Sequence, residues 1–189
     1  MTALIASLLF ATNAAPAEIL SACRDTIPAN AEISGRLVLR NRKGIVKSEH
    51  SYTLTRSRGK TSVAVDGSPL APGRPGDSVA GTDVTWSDLS LEYLWWDDAS
   101  FDAEREAESV HGQKCAVIVL RKGDRRVRAW VDRKTGALMQ AEEESAGRRL
   151  RRLWGTRIKK FGDRWMANVM EVETAGSGHR TKITVEELK

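Results

Sequence analysis

This sequence predicts a mainly β protein: one strongly curved antiparallel sheet or partial barrel, with a short helix near its N-terminus and another laid against the sheet. Three observations carry that expectation. From residue 103 onward, strand-like stretches follow one another at hairpin spacing, and their connections hold glycine. No helical stretch separates these strands, which excludes parallel βαβ topology in that half. One tryptophan-rich segment, 81–96, drops the period of two and takes up that of a helix.

Taken in order, the elements are justified as follows. Glu18–Asp25 comes after Pro16, and its Ile19, Leu20 and Cys23 make one apolar face of a short helix that stops before Pro28. Ile33, Gly35, Leu37 and Leu39 alternate with Ser34, Arg36, Val38 and Arg40, giving a strand with one inward face. Asn41–Gly44 turns into a second strand, Ile45–Thr55, and Ser57–Gly59 into a third, Lys60–Asp66. Between Gly67 and Asp77 lie most of the chain's prolines, so this is an irregular loop. Then Thr85-x-x-Asp88 has the form of a capping box with Asp in place of Glu, and Leu91, Leu94 and Trp95 share one helical face. Three of the six tryptophans fall between Trp86 and Trp96. A helix so loaded must lie on the sheet. The meander occupies Ala103–His111, Lys114–Lys122, Arg125–Arg133, Ala137–Ser145, Arg148–Lys160, Arg164–Thr174 and His179–Leu188. Lys114–Leu120 is apolar on both faces, which predicts a central strand covered on each side.

At 189 residues, with 41% hydrophobic and 29% charged residues, the chain has the composition of a soluble globular domain. The net charge of +5 is compatible with several kinds of partner. Ala3–Ala11 has the length of a signal-peptide apolar region, and Ala15-Pro16-Ala17 offers a cleavage site before Glu18. The expected organisation is therefore a signal peptide at 1–17 and a single β domain at 18–189. The n-region lacks Lys and Arg, so a buried N-terminal helix stays open as the alternative. Leu20-Ser21-Ala22-Cys23 also has the form of a lipobox, which would make Cys23 a lipid-anchored N-terminus, although Pro16 and Glu18 interrupt the apolar run before it. Cys23 and Cys115 could pair in an oxidising compartment or stay as separate buried thiols. They offer no metal-ligand spacing.

Catalytic constellations are sparse. His50, His111 and His179 are scattered, no G-x-S-x-G elbow is present, and the Asp97-Asp98 and Glu142–Glu144 runs read as solvated charges. Gly73-Arg74-Pro75-Gly76 is not a phosphate loop. Neither a metal, a cofactor nor an enzyme activity is expected. A basic cluster is clear: Arg149, Arg151, Arg157 and Lys159 share one strand face, opposite Leu150, Arg152, Trp154 and Ile158. That face could dock an anionic partner, or be balanced across strands by Glu142, Glu144, Glu171 and Glu173. The aromatic candidates for an apolar ligand surface are Trp86, Leu91, Leu94, Trp95, Trp96, Trp130, Trp154 and Trp165, because a curved sheet under a helix has a concave face that its own side chains need not fill.

Several pieces, in order along the chain, resemble the outer-membrane lipoprotein-sorting (LolA-like) family, in its poorly characterised branch. They are Ala17-Glu18-Ile19-Leu20, Gly35-Arg36-Leu37 with the Arg42-Lys43-Gly44 turn, Gly81-Thr82-Asp83, Trp86-Ser87-Asp88-Leu89 and Leu94-Trp95-Trp96. Further on come Gly112-Gln113-Lys114-Cys115, Trp130–Thr135, the Trp165 strand and Arg180-Thr181-Lys182-Ile183. The resemblance implies an unclosed β-barrel whose mouth is covered by one or two lid helices. It also implies a periplasmic, monomeric, non-catalytic carrier that holds a lipid or lipoprotein acyl chain, with transient membrane contact and no nucleic acid. An inner-membrane transporter is the partner it suggests. No residue of this sequence can be matched to the arginine that governs release in the founding members. The alternative is an envelope scaffold of the same fold that docks to a transporter through its basic face. A hydrolase assembled from separate strands is a third reading.

Overall fold

The computed structural model describes residues 14–57 and 60–189. Most of the predicted signal segment therefore lies outside the described residues. A helix, α1 (Pro16–Asp25), comes first, with the Ala15 amide donating to the Glu18 carboxylate at 2.9 Å. Among the described residues twelve strands follow: β1 (Ala31–Asn41), β2 (Val46–Ser57), β3 (Lys60–Val65), β4 (Ser68–Pro69), β5 (Asp98–Phe101), β6 (Ala107–Val110), β7 (Gln113–Lys122), β8 (Arg125–Asp132), β9 (Leu138–Ser145), β10 (Arg148–Phe161), β11 (Arg164–Thr174) and β12 (His179–Leu188). Between β4 and β5 lie α2 (Trp86–Ser90) and a 3-10 turn, Glu92–Trp95.

All twelve strands belong to one unclosed antiparallel sheet, in the order β4-β3-β2-β1-β12-β11-β10-β9-β8-β7-β5, with β6 also on β7. The order explains where the lid sits. Strands β1 to β4 step outward to one edge, and β5 and β6 begin at the other. Residues 70–97 must therefore travel from edge to edge, and on a curved sheet the short way is across the hollow side. Bulges in β1, β8 and β10 supply bend. At the β1 bulge, a Cβ added to Gly35 would stand 1.8 Å from the Thr184 carbonyl oxygen, so only glycine admits this approach of β12.

The core has two parts. The larger fills the concave side, with Ile19, Leu20 and Cys23 of α1, Ile33 and Leu37 of β1, Ile118 and Leu120 of β7, and Leu89 and Leu94 of the lid. The smaller sits behind the sheet: Cys115, Val117, Trp130, Ala137 and Met139. Strand β7 feeds both, and every residue from Cys115 to Leu120 is at most 1% exposed. The expected cover on each side is present, but the strand is next to the edge rather than central.

Several expectations need correction. The Ala103–His111 strand reduces to Ala107–Val110. It is preceded by β5, too short for its alternation to be read. Asp102 separates the two, its amide donating to the Val117 carbonyl and its carboxylate accepting from Arg128 Nε at 2.5 Å. The amphipathic helix starts as expected, with Thr85 N and Oγ1 donating to Asp88 Oδ2 at 2.7 and 3.0 Å. It then breaks at Leu91, whose φ of +54° is left-handed. Leu91, Leu94 and Trp95 consequently share no face: Leu94 is fully buried while Trp95 is 48% exposed.

The thiols do not pair. Cys23 is free in the concave core, and Cys115 is free in the cluster behind the sheet. Lipid anchoring at Cys23 is also disfavoured, because a chain beginning there would strip Ile19 and Leu20 from the core and draw out a side chain that is 0% exposed. Finally, the basic face is dispersed by the β10 bulges at Arg149/Arg151 and Gly155–Ile158. Arg151 turns inward to Asp88 and Arg149 pairs with Glu142, while Arg157 and Lys159 stay exposed. Glu142, Glu144 and Glu171 balance strand arginines much as cross-strand pairing predicts.

Candidate functional site

A hollow of about 100 Å³ remains between the sheet and the lid. Its floor is the inward face of six strands, including Ile33, Tyr52, Leu54, Leu153, Met166 and Ile183. Leu89 and Leu91 roof it, and Ile27 and Pro28, just after α1, close one side. Small residues keep it open at Gly155 and Ala167, where an added Cβ on Gly155 would stand 3.2 Å from the Ala167 Cβ. Met166 and Met170 supply adaptable, unbranched walls. The lining is overwhelmingly apolar, so this space suits hydrocarbon better than ordered water.

Among the polar residues that line it, Arg56 and Asp88 take part in the contacts that fasten the lid. Arg56, on β2 and 9% exposed, donates from Nη2 to the carbonyls of Leu89 and Ser90 at 2.9 and 3.0 Å. Those carbonyls end α2 and have no helical partner of their own. Burial pushes the Arg56 pKa down, opposed by the nearby Tyr93. Arg151 of β10 donates to the Asp83 carbonyl at 2.8 Å and pairs with the Asp88 carboxylate. Burial raises the Asp88 pKa, against the pull of Arg151 and of the Thr85 amide and hydroxyl. Arg125 of β8 reaches Glu92 at 2.8 Å and Ser87 Oγ at 3.1 Å, and stacks over Trp96 at 4.9 Å. Arg24 of α1 donates from Nε to the Leu94 carbonyl at 2.7 Å. Four arginines from four elements thus hold one short segment. None of them was singled out for this from the sequence, because each is an ordinary strand or helix arginine until its long-range partner is known.

Of the aromatic and apolar candidates, Leu91 lines the hollow, and Trp95 lines a wider depression beside it. Trp86 packs on Gly73, where an added Cβ would stand 2.2 Å from the indole nitrogen. Leu94 and Trp96 anchor the lid from within, with Trp96 Nε1 donating to Glu92 at 2.6 Å. Trp130 lies behind the sheet, bonded to Glu108 at 2.8 Å. Trp154 is sandwiched by Arg152 and Arg180 at 4.8 and 5.0 Å. Trp165 is 44% exposed near the β10–β11 hairpin. The residues that form the hollow instead were legible only as inward positions of alternating strands.

Nucleophile chemistry has little to build on. Burial pushes the Cys23 thiol up to about 12 and the Cys115 thiol up to about 11, which keeps both protonated. His50 Nδ1 and Ser51 Oγ both bond Asp66, at 2.8 and 3.2 Å. The serine hydroxyl faces the carboxylate rather than the imidazole, so the three do not make a relay. Among the described residues no group of three His, Cys, Asp or Glu is placed to hold a metal ion.

A family model described as an uncharacterized protein matches residues 68–189, from β4 through the lid to the last strand. No curated protein matches the sequence. Among solved structures, a LolA superfamily protein from Nitrosomonas europaea aligns with a TM-score of 0.76 and 15% identity over 94% of each chain. A DUF1329 family protein from Desulfovibrio piger aligns with a TM-score of 0.66 and 16% identity, covering 92% of this chain and 91% of that one. A domain from Vibrio parahaemolyticus named for outer membrane lipoprotein sorting aligns with a TM-score of 0.66 and 14% identity, again over 92% and 91%. At such identities the likeness is one of fold, and it extends over more than nine-tenths of the chain. With the model matched over residues 68–189, the chain belongs to that family of uncharacterized proteins, and its fold is LolA-like.

Proposed function

We propose that this protein is a non-catalytic carrier in the periplasm that holds an acyl chain, of a lipid or of a lipoprotein, on the concave face of its sheet. The observation that carries this reading is the apolar hollow between the inward faces of the strands and α2. With the lid fastened the hollow takes part of a chain. Loading a full cargo requires the segment 83–96 to lift, which breaks its arginine contacts and withdraws Leu89, Leu94 and Trp96 from the core. Residues 1–17 serve export in this reading, and the domain that remains keeps Ile19, Leu20 and Cys23 of α1 in place. The alternative of a scaffold docking a transporter through its basic face keeps Arg157 and Lys159 as exposed cations, while Arg151 is engaged within the fold and Arg149 pairs with Glu142 at the surface.

The test is direct. An organic extract of the protein purified from the cell envelope is analysed for acyl species, and the stripped protein is titrated with a fluorescent fatty acid. Saturable binding is expected, and Ala167→Phe, which fills the hollow, is expected to weaken it at least tenfold while the protein still melts cooperatively. An extract without acyl species together with no binding of the probe ends the carrier reading.

A further inference from the structure

The apolar hollow does not stop at Arg56. Ile27, Pro28 and Arg56 also line a second, wider depression of about 550 Å³, so one opens beside the other. The character of the lining changes at that boundary. The outer depression carries Arg24, Arg56, Lys60 and Arg164, with the exposed indole of Trp95 at its rim. Its acids are Asp25 and Glu92, and Glu92 is already taken by Arg125, Ser87 and the Trp96 indole. Among the described residues, four cations thus line the depression with one carboxylate, Asp25, besides the engaged Glu92. Arg56 sits at the junction, and its Nε is buried with no hydrogen-bond partner among the described residues. A buried guanidinium N–H left unpaired is costly, and an incoming acceptor would relieve it. The strand period explains the juxtaposition: Arg164 and Met166 are two apart on β11, so the residue lining the outer depression and the one lining the apolar hollow share a face.

We infer that the cargo is an amphiphile with an anionic head, a carboxylate or a phosphate, whose acyl chain enters the hollow while its head rests among Arg56, Lys60 and Arg164. The inference rests on the carrier reading and narrows its ligand class. A positive depression next to an apolar one selects by charge as well as by length, and the charge selection is screened by salt.

The test uses the full exported domain and four probes of one chain length: dodecanoate, dodecyl phosphate, dodecan-1-ol and dodecyltrimethylammonium. Both anions are expected to bind at least tenfold more tightly than the alcohol, and the cation more weakly than the alcohol. The anion preference is expected to shrink at high salt and to fall toward unity in Lys60→Gln/Arg164→Gln, whose fold is checked by circular dichroism. A phosphate preferred over the carboxylate points to a phospholipid-type head, and the reverse to a free fatty acid. Either supports the inference. If the alcohol binds as tightly as the anions, or the double variant keeps the full preference, the charged head site is wrong and the carrier reading stands. If none of the four binds, the carrier reading itself falls.

Discussion

Replacing Arg56 by Met removes the guanidinium while keeping an apolar stem of similar reach, and so releases one fastening of the lid without opening a large void. Two hydrogen bonds from an ionised donor are lost, to the Leu89 and Ser90 carbonyls. Bonds of that kind are worth about 1.5–3 kcal/mol each. Part of this is returned, because a guanidinium only 9% exposed is held at a desolvation cost, the same cost that pushes its pKa down. The net loosening comes to about 1.5–3 kcal/mol, or roughly a 10- to 150-fold rise in lid opening. Amide hydrogen exchange reads this locally. The Leu91, Leu94 and Trp96 amides donate to Ser87, Leu91 and Tyr93 within the lid, while the Val117 amide, bonded to the Glu106 carbonyl, reports on the sheet. The lid amides should accelerate by that factor and Val117 should not. Unchanged lid exchange, or a Val117 amide accelerating equally, would refute the assignment of Arg56 as a lid fastening.

Three other outcomes follow from the packing. Trp130→Ala should cost about 3–5 kcal/mol in chemical denaturation, as for other buried aromatics. It should nevertheless leave acyl-probe affinity unchanged, since the indole is behind the sheet. Gly35→Ala should lower the melting temperature by roughly 4–8 °C, because its methyl group cannot coexist with the Thr184 carbonyl at the present spacing. For Asp102, burial raises the carboxyl pKa, but the Glu104 amide and the Arg128 guanidinium outweigh it and hold the folded value below the ordinary one. Its stabilising contribution is therefore complete above about pH 4 and is lost as pH falls through the lower, folded value. The stability gap between wild type and Asp102→Asn should narrow between pH 5 and pH 2, and a constant gap would contradict this account.

The sheet was largely readable because its strands obey a local rule. The bounds of β11 and β12, and the hairpins joining the meander, follow from alternation and glycine placement alone. The lid was half readable. Thr85 and Asp88 announce its start, but the left-handed Leu91 is imposed by tertiary packing and leaves no mark in the residue type. The cavity was not readable from tryptophan content, since aromatic rings are as useful for filling space as for lining it. Trp130 and Trp154 do the former on the back of the sheet. The arginine fastenings were hidden for a different reason. Arg151 and Asp88 are 63 positions apart, and Arg24 and Leu94 70 apart, distances over which no sequence period operates.

The pairing of β1 with β12, from Ile33 opposite Leu188 to Asn41 opposite His179, has a consequence for how this molecule tolerates change. It rivets the opening portion of the chain to the closing portion independently of the span that crosses between them. A protease nick among the solvent-facing residues 71–76 should therefore leave a two-piece molecule that holds together, with one end of its cover cut free. Natural insertions at that point would cost little, since loop closure grows only slowly with length. The scaffold can thus stay constant while the cover is redrawn for cargo of another shape.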